Sequence, residues 1–150
     1  MKSALAFMFF SKGIPYFYYG DEQGFAGGSD PGCREPLWND LKTDSDLYQY
    51  VKTIVTTRKN HQVWNSPYVE RYVADNFFAF SRGDVLIATT NQNSGQVNYS
   101  VTYNPFSEGE KVCNIFYTSD CVTVQGGAVN VVLNNGEAKV YVPANSLSIE

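Results

Sequence analysis

The pattern of apolar and polar positions changes near residue 62. Residues 1–11 are apolar almost all round, which predicts a helix or strand covered on most sides. Ile14 to Tyr19, bounded by Gly13 and Gly20, is a short continuous apolar run of the kind expected of a buried strand. Asp21 to Lys42 is a long loop rich in Gly, Asp and Pro, and loops of that length are usually functional or disordered. Leu47, Tyr50, Val51, Ile54, Val55 and Arg58 then recur at i, i+3, i+4, i+7, i+8 and i+11. That spacing predicts an amphipathic helix of about 16 residues. Thr43 to Asp46 offers its N-cap and early negative charge, and Arg58, Lys59 and His61 place positive charge in its last turn.

Beyond Val63 the period falls to two. Strands are predicted near 68–73, 76–82, 84–91, 96–103, 111–118, 121–125, 128–133 and 137–142. Arg82-Gly83-Asp84, Asn93-Ser94-Gly95, Gln125-Gly126-Gly127 and Asn134-Asn135-Gly136 punctuate them. Short strands with this turn chemistry predict an antiparallel β-sandwich with Greek-key connections over 63–150. The fold class expected is mainly β, with residues 1–62 forming a helix, a strand, a long loop and a second helix ahead of it.

Composition and charge narrow the partners. The chain has 150 residues, 11 Lys+Arg against 15 Asp+Glu and a net charge of −4. Its basic residues are scattered, so no patch could neutralise several phosphates and nucleic acid is not expected as a partner. No membrane span is expected, because the apolar stretch from Ala4 to Phe10 is far short of the ~20 residues a spanning helix needs. Lys2 ahead of that stretch imitates a signal peptide, yet Ser11-Lys12-Gly13 offers no small-x-small cleavage site, so none is read in this chain. One histidine and three cysteines without C-x-x-C spacing predict no metal site. His61 reads as a surface residue complementing the helix dipole, since no serine sits in a nucleophile elbow.

The loop holds the densest polar chemistry. Asp21, Glu22, Asp30, Arg34, Glu35 and Asp40 are interleaved there with five glycines. Asp30 and Arg34, four positions apart, either brace the loop or present an acceptor and a donor fork to one polyhydroxy ligand. Glu22, Asp30 and Glu35 are the weak catalytic candidates. Asp21 and Glu22 point apart in extended chain, and nothing in the sequence holds Asp30 with Glu35, or Glu22 with Asp40, at the roughly 5–5.5 Å at which one carboxylate can attack while another donates a proton. Cys113 and Cys121 lie on strands flanking Thr118-Ser119-Asp120, and either bridge a hairpin or stay as buried thiols; Cys33 is either a free thiol or the partner in an intermolecular disulfide. Asn98-Tyr99-Ser100 is a glycosylation sequon, meaningful in a chain secreted by a eukaryote. The abundant Tyr and Phe of the β-region serve as core or, as an exposed flat pair, as a stacking surface for sugar rings.

Residues 13–38, GIPYFYYGDEQGFAGGSDPGCREPLW, resemble the segment at the eighth barrel strand of fungal-type α-amylases, whose pattern is GIP-x-x-Y-x-G-x-EQ-x-x-x-GG-x-DP-x-x-RE-x-x-W. Thr43 to Tyr48 resembles the start of the barrel's last helix, and residues 62–150 resemble the family's C-terminal β-sandwich. The resemblance implies that 1–62 is the last β/α unit of a (β/α)8 barrel and 63–150 the sandwich domain. It implies that Asp30 and Arg34 contact the glucose chain on its non-reducing side, that the ligand is an α-glucan or maltooligosaccharide, and that the protein is secreted. Cys33 stands where the family commonly has Asn. The family's nucleophilic Asp, acid/base Glu and second Asp, like its histidines and calcium ligands, belong to earlier strands, so no cofactor is expected here. A barrel alone takes about 250 residues. The expectation is therefore a truncated α-amylase-like protein that acts on or binds starch without the usual catalytic carboxylates, or a non-catalytic α-glucan-binding module. Bare edges are expected to make residues 1–60 self-associate or fold back on the sandwich.

Overall fold

A computed structural model describes residues 1–39 and 41–147. Helix α1 (Lys2–Phe10) is followed by irregular chain with short 3₁₀ turns at Asp21–Gln23 and Leu37–Asn39, then by α2 (Asp46–Asn60). Eight strands follow: β1 (Tyr68–Ala74), β2 (Phe77–Arg82), β3 (Val85–Thr89), β4 (Gln96–Val101), β5 (Lys111–Asn114), β6 (Tyr117–Thr123), β7 (Val129–Asn134) and β8 (Lys139–Pro143). One sheet has the order β1-β2-β3-β8-β5-β6, the other is the pair β4-β7, and the strand pairs are antiparallel. The chain crosses between sheets at β3–β4, β4–β5, β6–β7 and β7–β8, as a Greek-key sandwich requires. Among the described residues no helix is long and apolar enough to cross a membrane.

Three layers result, because the large sheet is covered on both faces. Ala79, Leu86, Ala88, Val112 and Tyr141 meet Val97, Val101, Val129, Val131 and Leu133 of the small sheet. The alternate residues Phe80, Val85, Ile87, Val140 and Val142 meet Ala6, Phe9 and Phe10 of α1 and Tyr50, Val51 and Ile54 of α2. Strand β3 is buried at every position for this reason, and reads as a continuous apolar run rather than an alternation. Helix α2 starts at Ser45, whose hydroxyl accepts from the Tyr48 N–H at 3.3 Å. The Tyr50 hydroxyl donates to the Lys2 carbonyl at 3.0 Å; its pKa is raised, first by burial and then by Tyr117.

Three expectations need correction. Ile14–Tyr19 is not a buried strand: it joins no ladder, and Ile14 and Tyr16 are 96% and 83% exposed. Its apolarity finds no neighbouring strand within these residues to take its backbone groups. Helix α1 is covered on one side only, with Ala6, Phe9 and Phe10 buried and Ala4 and Phe7 exposed. The β5–β6 hairpin turns at Ile115–Phe116, not at Thr118–Asp120, which lies within β6. Asn114 sets that turn: its side-chain oxygen accepts from the Phe116 N–H at 3.3 Å, beside a bulge at Cys113/Asn114.

Cys113 and Cys121 face each other across β5 and β6 and are joined by a disulfide. Replacing both by Ser should cost about 2–3 kcal/mol by loop-closure entropy. The check is urea denaturation of the double variant against the oxidised parent, and an unchanged midpoint would refute the expectation.

Candidate functional site

The loop after Tyr19 is built by three local devices. Gly20 adopts φ 88°, and a Cβ there would run into the Phe25 ring, so only glycine fits. The Gly20 N–H donates to Glu22 Oε2 at 3.1 Å, which commits that carboxylate to its own turn. Gln23 then laces the loop shut: its Oε1 accepts from the Lys42 N–H at 2.8 Å, and its Nε2 faces the Lys42 carbonyl at 3.5 Å. The sequence places Gln23 in the motif of residues 13–38 without giving it a role, although a primary amide, with a donor and an acceptor on one group, is what joining two distant backbone points calls for.

At the loop's outer end, Arg34 grips Asp30 with both arms of the fork. Nε lies 2.8 Å from Oδ1, and the second nitrogen donates to Oδ2 at 3.1 Å. Both side chains are largely exposed, 74% and 63%, so solvent screens the pair and it contributes little stability. What the pairing fixes is orientation: a planar guanidinium and a carboxylate sit side by side with their remaining donor and acceptor edges turned to water. Hydroxyl groups can bond to both. Glu35 is half-buried, Cys33 is a free exposed thiol, and Asp40 lies outside the described residues. Among the described residues no group of three His, Cys, Asp or Glu side chains could hold a metal ion.

His61, Asp84 and Ser146 stand in a row that sequence reasoning did not join. His61 Nδ1 lies 2.8 Å from Asp84 Oδ1, and Nε2 lies 3.5 Å from Ser146 Oγ. The Ser146 hydroxyl donates instead to the Pro143 carbonyl at 2.7 Å, so its proton is directed away from the imidazole. The row ties the end of α2 to the β2–β3 turn and to the segment after β8. Asn98 is exposed on β4; Ser100 of the same sequon hydrogen-bonds Asn130 across the small sheet.

Comparison with known proteins bears on these residues. Residues 71–149 match the family model for α-amylase domain C. A β/α-amylase of Paenibacillus polymyxa is 34% identical over 94% of this chain and 12% of its own length. Alpha-amylase 1 of Schwanniomyces occidentalis is 30% identical over 99% of this chain and 31% of its own. Among solved structures, an α-amylase from Malbranchea cinnamomea superposes with a TM-score of 0.85 at 32% identity, over 99% of this chain and 33% of that one. The chain thus spans about a third or less of the length of these relatives.

Proposed function

The chain belongs to the α-amylase family, and from that premise we propose that it contacts α-glucan through the Asp30–Arg34 loop without itself hydrolysing it. The observation that carries the reading is the exposed bidentate pair of Arg34 and Asp30, held outward on a loop that Gln23 and Lys42 close at its base. A polyhydroxy chain can accept from the guanidinium and donate to the carboxylate while remaining neutral, so the ion pair need not break on binding.

The carboxylates of the loop do not support hydrolysis by this stretch. Glu22 is spent on Gly20, and Asp30 is neutralised by Arg34. Retaining hydrolysis needs one ionised nucleophile and one carboxyl of raised pKa facing each other across the scissile bond. A secreted chain of eukaryotic origin would carry a glycan on Asn98, whose side chain is open to solvent. Self-association through residues 1–60 is supported by the exposure of Ile14, Tyr16 and Trp38.

The test is native electrophoresis through gels containing soluble starch, with reducing-sugar release measured on the same preparation. The purified chain should be retarded by starch and release no sugar, and D30A or R34A should be retarded less. Sugar release that survives repeated chromatography and falls in E22Q or E35Q would overturn the non-hydrolytic reading. Migration unaffected by starch would overturn glucan binding altogether.

A further inference from the structure

The β7–β8 turn, Asn134-Asn135-Gly136-Glu137, joins a structural need to a chemical weakness. We propose that Asn135 is a site of spontaneous covalent modification, at which the folded turn converts the side-chain amide to aspartate and isoaspartate.

The fold requires both central residues. Asn135 at φ 50° and Gly136 at φ 76° supply the left-handed pair of a tight two-residue hairpin turn, which the Glu137 N–H closes on the Asn134 carbonyl at 3.0 Å. A Cβ on residue 136 would come within 2.8 Å of the Gln92 carbonyl oxygen, so glycine stands there. Asn135 clamps Gly95 at two points. Its N–H donates to the Gly95 carbonyl at 2.8 Å, and its Oδ1 accepts from the Gly95 N–H at 3.1 Å.

Those contacts prepare a cyclisation. The Gly95 N–H draws electron density toward Oδ1 and makes Cγ more electrophilic, as a donor aimed at a developing oxyanion does. The nucleophile is next in the chain. The Gly136 N–H meets no acceptor among the described residues, and glycine has no side chain to screen it. The leaving group is free as well, since Asn135 is exposed and its Nδ2 makes no hydrogen bond among the described residues. Hydroxide takes the Gly136 N–H proton, the nitrogen bonds to Asn135 Cγ, and the Cγ–Nδ2 bond breaks to release ammonia. Water then opens the five-membered imide and returns a proton to the nitrogen. Opening at Cγ gives aspartate; opening at the main-chain carbonyl gives isoaspartate, which lengthens the main chain of the turn by a methylene. No oxidant or reductant takes part, and the new carboxylate adds one negative charge to a chain already at −4.

Asn134 provides the contrast within the same turn. Its Oδ1 accepts from Gln96 Nε2 at 3.0 Å, and its Nδ2 donates to Glu137 Oε1 at 3.4 Å. The N–H that would attack it is the one Asn135 donates to Gly95.

The experiment incubates the folded 150-residue chain, and the same chain unfolded in urea, in mildly alkaline buffer. Tandem mass spectrometry of the peptide carrying residues 134–137 locates the change, and methyl transfer by a protein-isoaspartate methyltransferase counts isoaspartate. The folded chain should exchange NH2 for OH at Asn135, become a methyl acceptor and keep Asn134 intact. N134D should still accept methyl groups, whereas N135S, which has no side-chain carbonyl to attack, should lose most of that acceptance. A folded chain that stays unmodified while the unfolded chain reacts would overturn the proposal. Modification of Asn134 to the same extent as Asn135 would overturn it too.

Discussion

Phe80→Ala is expected to lower the free energy of unfolding by about 3–5 kcal/mol, a large share of the 5–15 kcal/mol that natural domains have to lose. Phe80 is 0% exposed and stands where the helical layer meets the large sheet. Its ring stacks on Tyr68 at 4.8 Å, meets Phe7 edge-on at 5.7 Å and lies 5.7 Å from Phe78. Removing it takes away the transfer free energy of the ring and leaves a cavity that three other rings, held by strands β1 and β2 and helix α1, are poorly placed to fill. Urea denaturation should show a lower midpoint with an unchanged slope, because the native surface is the same. A loss under 1.5 kcal/mol would mean that the helices shift to close the gap, and that the helical layer is soft rather than packed. Phe80→Leu, which keeps most of the volume, should recover the greater part of the loss.

Phe80 also shows why the β-region could be read from the sequence. From Phe77 to Ser81 in β2 and from Val85 to Ala88 in β3 every position is apolar or small, because successive residues face the helices and the small sheet in turn. A run of that kind between Asp75-Asn76 and Arg82-Gly83-Asp84 has few alternatives to a two-sided strand. The same logic failed at Ile14–Tyr19, where the run is equally apolar. Apolarity reports that a segment wants cover, and a strand exists only where a neighbour supplies hydrogen bonds. The β5–β6 turn failed differently. Thr118-Ser119-Asp120 has turn composition, but Ile115 is buried and Phe116 stacks on Tyr50, so tertiary contacts place the reversal earlier. Of the loop, Asp30 and Arg34 were legible from their spacing. Gln23 with Lys42 and Gly20 against Phe25 were not, because each depends on which residues the fold brings together rather than on local pattern.

Arg82→Met is expected to cost about 3 kcal/mol, more than loss of the exposed Asp30–Arg34 pair, although sequence alone makes Arg82 an ordinary turn residue. It is 5% exposed. Its Nε donates to the Ser66 carbonyl at 3.0 Å, and one terminal nitrogen donates to the carbonyls of Ser11 at 2.9 Å and Phe10 at 3.4 Å. Arg58 donates to the adjacent Phe9 carbonyl. Two guanidinium groups thus satisfy the carbonyls that α1 leaves unpaired at its C-terminal end, where the helix dipole favours positive charge. Burial lowers the pKa of both, and the charge of Arg82 lowers that of Arg58 further, yet an arginine has range enough to stay protonated. Methionine preserves most of the stem's packing and removes every donor, so the cost is that of orphaned carbonyls under a closed layer. Arg82→Lys should recover only part of the loss, because one ammonium cannot reproduce the reach of the fork to both Ser66 and Ser11. The loss should be local as well as global. Hydrogen exchange across α1 and proteolysis after Lys12 should both quicken in R82M more than exchange in β4 and β7 does. A variant as stable as the parent, with unchanged protection over α1, would show that packing by Ala6, Phe9 and Phe10 alone holds the helix on the sheet.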